Sequence, residues 1–174
     1  MTKKRKYTRK VRPLIIEADH AKVDLLNGVY VKIDLHWVDQ IGLYNWSYNR
    51  RYAVRKCITC ESAHSIFMHV VINNTPDGMC TDHIDRNTLD NREANLRTAN
   101  YFQNSINSPP KANTTSKFKG VSWDSEKKKW APRIEINGVQ KRLGRYHNEE
   151  DAARAYDKAA IAAHGTEFTY LNFP

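Results

Sequence analysis

Thr81-Asp82-His83-Ile84-Asp85, followed by amide side chains at Asn95 and Asn104, is the stretch on which the reading of this chain turns. Residues 79–83 read as a short strand, 85–94 as a polar loop and Leu96-Arg97 as the returning strand. Thr98 can cap a helix over residues 99–106. Strand, loop, strand and helix would carry His83 on a strand opposite Asn104 on a helix. An acidic residue beside a His, with two amides returning at these intervals, can assemble one divalent cation and one general base. That is equipment for hydrolysing a phosphodiester. Asp82 offers an anionic oxygen to a hard cation and Asn104 a neutral carbonyl oxygen. His83 can take a proton from an attacking water through its unprotonated ring nitrogen. Asn95 is better suited to fixing the loop that carries His83 than to touching the cation. An isolated Asp-His pair is usually a polar turn; the whole constellation is what argues for chemistry.

Upstream, residues 29–34, 52–56 and 65–70 read as strands rich in β-branched and aromatic residues, and residues 74–78 as a turn cluster. Residues 1–13 hold Lys3, Lys4, Arg5, Lys6, Arg9, Lys10 and Arg12 with no acidic residue, the composition of a flexible nucleic-acid arm. The formal net charge of +9 over 174 residues favours a polyanionic partner, because each cation that meets a phosphate releases counterions. No run of 18 apolar residues exists to span a membrane, and Leu14-Ile15-Ile16 is too short for a secretory signal. Three cysteines, an odd count, are expected to be reduced thiols in a cytoplasm. Cys57, Cys60, Cys80 and His83 have the spacing of a structural zinc set. That reading competes with His83 as a base, and Cys57 and Cys60 more simply flank a β-turn.

Downstream, residues 108–116 are a linker by composition, with Pro109-Pro110 stopping the helix. Residues 118–123, 130–136 and 139–146 then read as strands, the last two joined by Asn137-Gly138, a strong hairpin signal. Asn148 is a cap followed by Glu149, Glu150 and Asp151. Ala153, Tyr156, Ala160 and Ala163 give the closing helix one narrow apolar face, and Gly165 is its stop.

Met68-His69, Asp82-His83-Ile84-Asp85, Asn91 to Arg97 and Gln103-Asn104 together resemble the HNH endonucleases, above all the phage homing-endonuclease branch, whose core is a ββα-metal fold. The likeness covers residues 25–107. It implies that Asp82 and Asn104 are metal ligands, His83 the general base and Asn95 the residue orienting the active-site loop. Asn stands where the family often has its second His, which favours Mg²⁺ or Mn²⁺ over a tight transition-metal site. Val70 follows His69 where the family often has Arg, so His69 is either structural or a phosphate contact. Arg92 and Arg97 are candidate phosphate contacts or simply solvated.

Phe118-Lys119-Gly120-Val121, Trp130 to Ile134, Arg142-Leu143-Gly144, the alanine-rich helix and Leu171-Asn172-Phe173 resemble the AP2 DNA-binding domain over residues 117–174. This implies a three-stranded sheet on one helix, its exposed face in the major groove of double-stranded DNA. Lys119, Trp123, Arg133, Gln140 and Arg142 fall at or near the DNA-contacting positions. Ser122, Arg133 and Arg142 replace the Arg, Glu and Trp of plant members, so the target sequence is not inherited. Lys127, Lys128 and Lys129 fall in a turn, and Trp130 reads as core.

The expected fold class is therefore α+β: a basic flexible arm (1–13), a ββα-metal (HNH) nuclease core (14–107), a linker (108–116) and an AP2-like three-stranded antiparallel sheet packed on one helix (117–174). The expected function is a site-directed DNA endonuclease of phage homing type, acting in the host cytoplasm. One such centre cuts one strand per engagement, so cutting both strands needs a second subunit, as in a homodimer on DNA, or rebinding. The alternative is a DNA-binding regulator with an inactive nuclease core.

Overall fold

A computed structural model describes residues 10–57 and 64–174. Most of the basic arm and Cys60 therefore lie outside the described residues. The chain divides into two compact units, Met1–Asn100 and Tyr101–Pro174. Both mix small antiparallel sheets with few helices. Among the described residues no helix is long and apolar enough to cross a membrane.

The first unit opens with β1 (Ile15–Ile16), β2 (Ala21–Asp24) and β3 (Tyr30–Ile33), paired in sequence order. In β2 buried Ala21 and Val23 alternate with half-buried Lys22 and Asp24, the period of a strand with one face on the core. A short helix, α1 (Val38–Ile41), leads to a second sheet of β4 (Ser47–Asn49), β5 (Tyr52–Lys56) and β6 (Ser65–Phe67). Trp46 anchors the core between them, fully enclosed, its indole N–H donating to the Ile41 carbonyl at 3.0 Å. Leu25, Val31, Ile33, Ile41, Met68 and Ile72 pack in the same cluster.

Two local expectations are corrected here. Residues 68–70 do not continue a strand: Met68–Ile72 forms α2, burying Met68, His69 and Ile72. Residues four apart share one face of a helix, so Met68 and Ile72 enter the core together, and that burial overrides β-branched propensity. Nor does Thr98 cap a helix. It lies in β8 (Leu96–Ala99), opposite Thr81 of β7 (Cys80–His83), and its hydroxyl oxygen accepts from the Asn73 amide at 3.0 Å.

The second unit begins with α3 (Tyr101–Ile106), so its boundary falls ahead of the stretch read as a linker. Within that stretch Ser116 is buried and donates to Glu149 at 2.7 Å, which small polar composition did not announce. The strands β9 (Val121–Asp124), β10 (Lys129–Ile136) and β11 (Val139–Arg142) form one antiparallel sheet with β10 central, and α4 (Glu149–His164) packs on it. Lys129 starts β10, leaving Lys127 and Lys128 in the turn.

The α4 start is a side-chain cap: Asn148 accepts from the backbone N–H groups of Glu150 and Asp151. Alanines 152, 153 and 160 are fully buried, letting the helix lie close to the sheet. Gly120 shows how close. Its φ is +74°, and a Cβ there would sit 2.1 Å from the Tyr156 ring. Buried Asp157 accepts from the backbone N–H groups of Asn172 and Phe173 and from the Asn172 amide, at 2.9–3.1 Å. Asn172 in turn brackets the Lys119 backbone, accepting from its N–H at 2.7 Å.

Candidate active site

The β7–β8 pair presents Asp82 opposite Arg97 and His83 opposite Leu96. Thr81, Asp82 and His83 are all buried, an uncommon run of polar side chains for a hairpin of this length. Asp82 Oδ2 accepts from Arg97 Nε at 2.9 Å and from Nη2 at 2.7 Å. A buried carboxylate needs such compensation. Arg97, one of the expected phosphate contacts, is thus committed to Asp82.

His83 meets Asn91. The ring Nε2 lies 2.8 Å from Asn91 Oδ1, in a buried contact. Asn91 is completely enclosed, and its Nδ2 has no hydrogen-bond partner among the described residues. Its backbone is stitched to β3: Lys32 N–H donates to Leu89 and Asn91 N–H donates to Lys32, both at 2.9 Å. Sequence reading missed Asn91 as a site residue. Its place opposite His83 depends on this pairing of the loop with a strand some sixty residues earlier, for which no local signal exists.

Asn95 ties the intervening loop together. Its Oδ1 accepts from Asp85 N–H at 3.0 Å, and its Nδ2 donates to the Asp90 carbonyl at 2.9 Å. Arg92, the other expected phosphate contact in the loop, forms a two-point pair with Asp90 at 2.8 and 2.5 Å.

Behind His83 sits a cluster of rings. The His69 and His83 centroids are 5.1 Å apart, those of Tyr52 and His69 4.9 Å, and those of Tyr52 and His83 6.2 Å. His69 is 8 % exposed and its Nδ1 has no hydrogen-bond partner among the described residues, which makes it packing and not a phosphate contact. Burial, with His83 alongside, pushes the His69 imidazole down to about 3. Burial also lowers His83, against the opposing pull of Asn91 and of the carboxylates of Asp82, Asp85 and Asp90. The result is a neutral imidazole near pH 7, the state a base requires.

Asn104 lies on α3 in the second unit, and its role as a cation ligand is a proposal. A different trio, Asp34, His36 and Glu93, brings ligand atoms within 4.8 Å of one another on the surface. Those atoms are already partnered: Glu93 accepts from Trp37 at 2.9 Å and lies 3.0 Å from His36, and Asp34 accepts from Glu93 N–H at 2.7 Å.

The cysteines give a further correction. Cys57 is disulfide-bonded, not a reduced thiol, and is therefore not a thiolate ligand. Cys80 is a free thiol, held protonated by burial and by Asp82, and donates to the Ala99 carbonyl at 3.1 Å.

In the second unit the register sorts the expected DNA contacts, because directly paired residues share a sheet face. Arg133 pairs with Arg142 and Glu135 with Gln140, which puts Arg133, Gln140 and Arg142 on one face. The alternate residues of β10, Ile134 and Ile136, pack toward α4, so the arginine face points away from the helix. Trp123 pairs with Trp130 on the other register and stacks edge-on against it, centroids 5.0 Å apart. Trp130 packs in the helix-side core. Lys119 turns inward, its ammonium donating to the carbonyls of Ile106 at 2.6 Å and Ser108 at 2.8 Å.

The chain is 35% identical over 147 residues to a protein of Acanthamoeba polyphaga mimivirus named Uncharacterized HNH endonuclease L560, a match covering 83% of this chain and 75% of that protein. The chain belongs to the HNH endonuclease family. It is also 38% identical over 65 residues to Protein 3.8 of Escherichia phage T7, covering 37% of this chain and 54% of that protein. No family model and no solved structure matches the chain. Membership of the HNH family supports a nuclease function.

Proposed function

We propose that this HNH protein is a metal-dependent, site-directed DNA endonuclease in which His83 is the general base and Asp82 and Asn104 hold one divalent cation, Mg²⁺ or Mn²⁺. The observation that carries this reading is the buried Asp82-His83 pair, with neutral His83 held by Asn91, in a chain akin to a named HNH endonuclease. The donor set fits such a cation. A carboxylate and an amide carbonyl are hard oxygen ligands, and a carboxylate accepts more contacts than the Arg97 pair uses. When bound, the cation would stabilise charge on the phosphate and on the leaving 3′ oxygen.

The chain's own residues do the rest. Asn91 Oδ1 accepts a hydrogen bond, which only a protonated Nε2 can donate, so the imidazole lone pair sits on Nδ1 and takes the proton of an attacking water. Asn95 keeps the loop closed through Asp85 and Asp90. Arg97 holds the Asp82 carboxylate in one orientation through Nε and Nη2.

The second unit would supply the address as an AP2-like sheet in the major groove. Arg133, Gln140 and Arg142 on the outward face are its readers, with exposed Trp123 lining a surface cavity together with Arg133 and Arg142. The Lys119 ammonium is engaged within the fold in the arrangement described above. A homing role, the host-cell cytoplasm and a homodimer on DNA belong to the same proposal. The viral origin of both relatives supports the first two.

Conversion of supercoiled plasmid with Mg²⁺, Mn²⁺ or EDTA, wild type beside His83→Ala, tests the reading. Metal-dependent nicking or linearisation lost in the variant is the expected result. Salt-sensitive DNA binding with no cutting of a plasmid library from a likely phage or host genome would favour the regulator instead.

A further inference from the structure

Two hairpins in this chain turn on two residues each, and they use opposite chemistry. Between β10 and β11, Ile136 pairs with Val139 and the turn is Asn137-Gly138, with φ of 52° and 76°. Between β4 and β5, Asn49 pairs with Tyr52 and the turn is Arg50-Arg51, with φ of 46° and 79°. The backbone is the same left-handed pair in both. Asn-Gly is the favoured occupant, because glycine has no Cβ to crowd the neighbouring carbonyl and asparagine tolerates the crowding. Arginine has neither advantage. Strain of this kind is kept where it does something other than stabilise the fold.

Both arginines are exposed, and among the described residues no ion pair engages either guanidinium. The tip is also placed beside the candidate active site. The Thr88 hydroxyl, on the loop that follows His83, donates to the Arg51 carbonyl at 2.5 Å. The next residue, Tyr52, stacks among His69 and His83. Arg86, also exposed and on that loop, is left-handed as well, with φ of 68°.

We propose that the Arg50-Arg51 tip is a phosphate-binding site that grips the DNA backbone next to the bond presented to His83. A guanidinium fork matches phosphate oxygens, and two forks on a rigid two-residue turn are held in place before DNA arrives. The inference rests on the endonuclease reading and adds to it a contact surface within the first unit.

The test is a pair of double variants in the full chain, binding a short duplex of arbitrary sequence, since phosphate contacts carry no sequence information. R50N/R51G puts the favoured residues into the same turn and removes both charges; R50K/R51K keeps the charges. For R50N/R51G the dissociation constant should rise about tenfold near ~0.1 M salt. The slope of log affinity against log salt should shrink by almost ~2, about 0.9 for each lost contact. Its melting temperature should rise. R50K/R51K should keep the wild-type slope. An unchanged slope in R50N/R51G, a lowered melting temperature in it, or a lost slope in R50K/R51K overturns the proposal. If wild type cuts DNA and only these results fail, the tip assignment alone falls. If wild type neither binds nor cuts DNA, the endonuclease reading falls with it.

Discussion

Both units bury polar side chains, and they do so in different ways. In the second unit Asp157 collects donors from Asn172 and Phe173 and closes the end of the chain onto α4. Every contact there serves the architecture. In the first unit Asp82, His83, Asn91 and His69 are as deeply buried, yet among the described residues Asn91 Nδ2 and His69 Nδ1 lack hydrogen-bond partners, and burial drives both imidazoles neutral. A buried polar group left unsatisfied lowers stability. Where several gather around one histidine, the arrangement favours reactivity over stability. The comparison teaches that burial alone does not mark a site, nor does a single unsatisfied atom, since Arg133 Nε also lacks a hydrogen-bond partner among the described residues. The gathering of such groups around one buried histidine sets the first unit apart.

The contrast can be broken by substitution, the largest effect first. His83→Ala should lower the cleavage rate by about 10³-fold or more while duplex affinity stays within about twofold. Equal loss of binding in that variant would make His83 structural. In the second unit Gly120→Ala should cost about 3 kcal/mol, from the Tyr156 clash and the left-handed backbone together. Chemical denaturation followed by tryptophan fluorescence reads this, and a loss under about 1 kcal/mol would mean that α4 can move away from the sheet.

Asn91→Leu, similar in shape but without an acceptor, should reduce cleavage about 10–100-fold with little change in duplex binding. Asn91→Asp keeps the acceptor oxygen and should restore much of the rate. If leucine and aspartate behave alike, Asn91 does not set the histidine tautomer.

The smallest effect expected is on stability against pH. His69 has its folded value at about 3, below the ordinary value near 6.5, so the unfolded chain binds the proton first. Its contribution is complete above about pH 6.5 and is lost as pH falls toward 3, at roughly 1.4 kcal/mol per pH unit. Between about pH 6.5 and 5 that amounts to about 2 kcal/mol. His69→Gln should flatten this slope for the first unit. An unaltered slope would place the pH dependence on His83 or elsewhere.

Much of the fold was legible where the signal is short-range. Asn148 before three acidic residues announced the start of α4, and Asn137-Gly138 announced a hairpin, because a cap and a two-residue turn are decided by neighbouring atoms. Met68–Ile72 was not legible. Its β-branched residues suggested a strand, and only the shared burial of Met68 and Ile72 makes it helical. Thr98 looked like a cap until the ladder with Thr81 placed it in a strand.

By itself the sequence determined which chemical groups the chain carries: Asp82 beside His83, amides at 95 and 104, an excess of cationic side chains and a resemblance that the HNH family membership answers. Residue type and spacing suffice for that, because a carboxylate, an imidazole and an amide have the same capabilities wherever they stand. Tertiary structure decided which partner each group meets. Lys32 holds the loop that brings Asn91 to His83, Arg97 faces Asp82, and Lys119 turns toward Ile106 and Ser108. These pairings join segments up to some sixty residues apart. They are selected because a polar group that the fold buries costs free energy unless it meets a partner, a condition no local stretch of sequence contains.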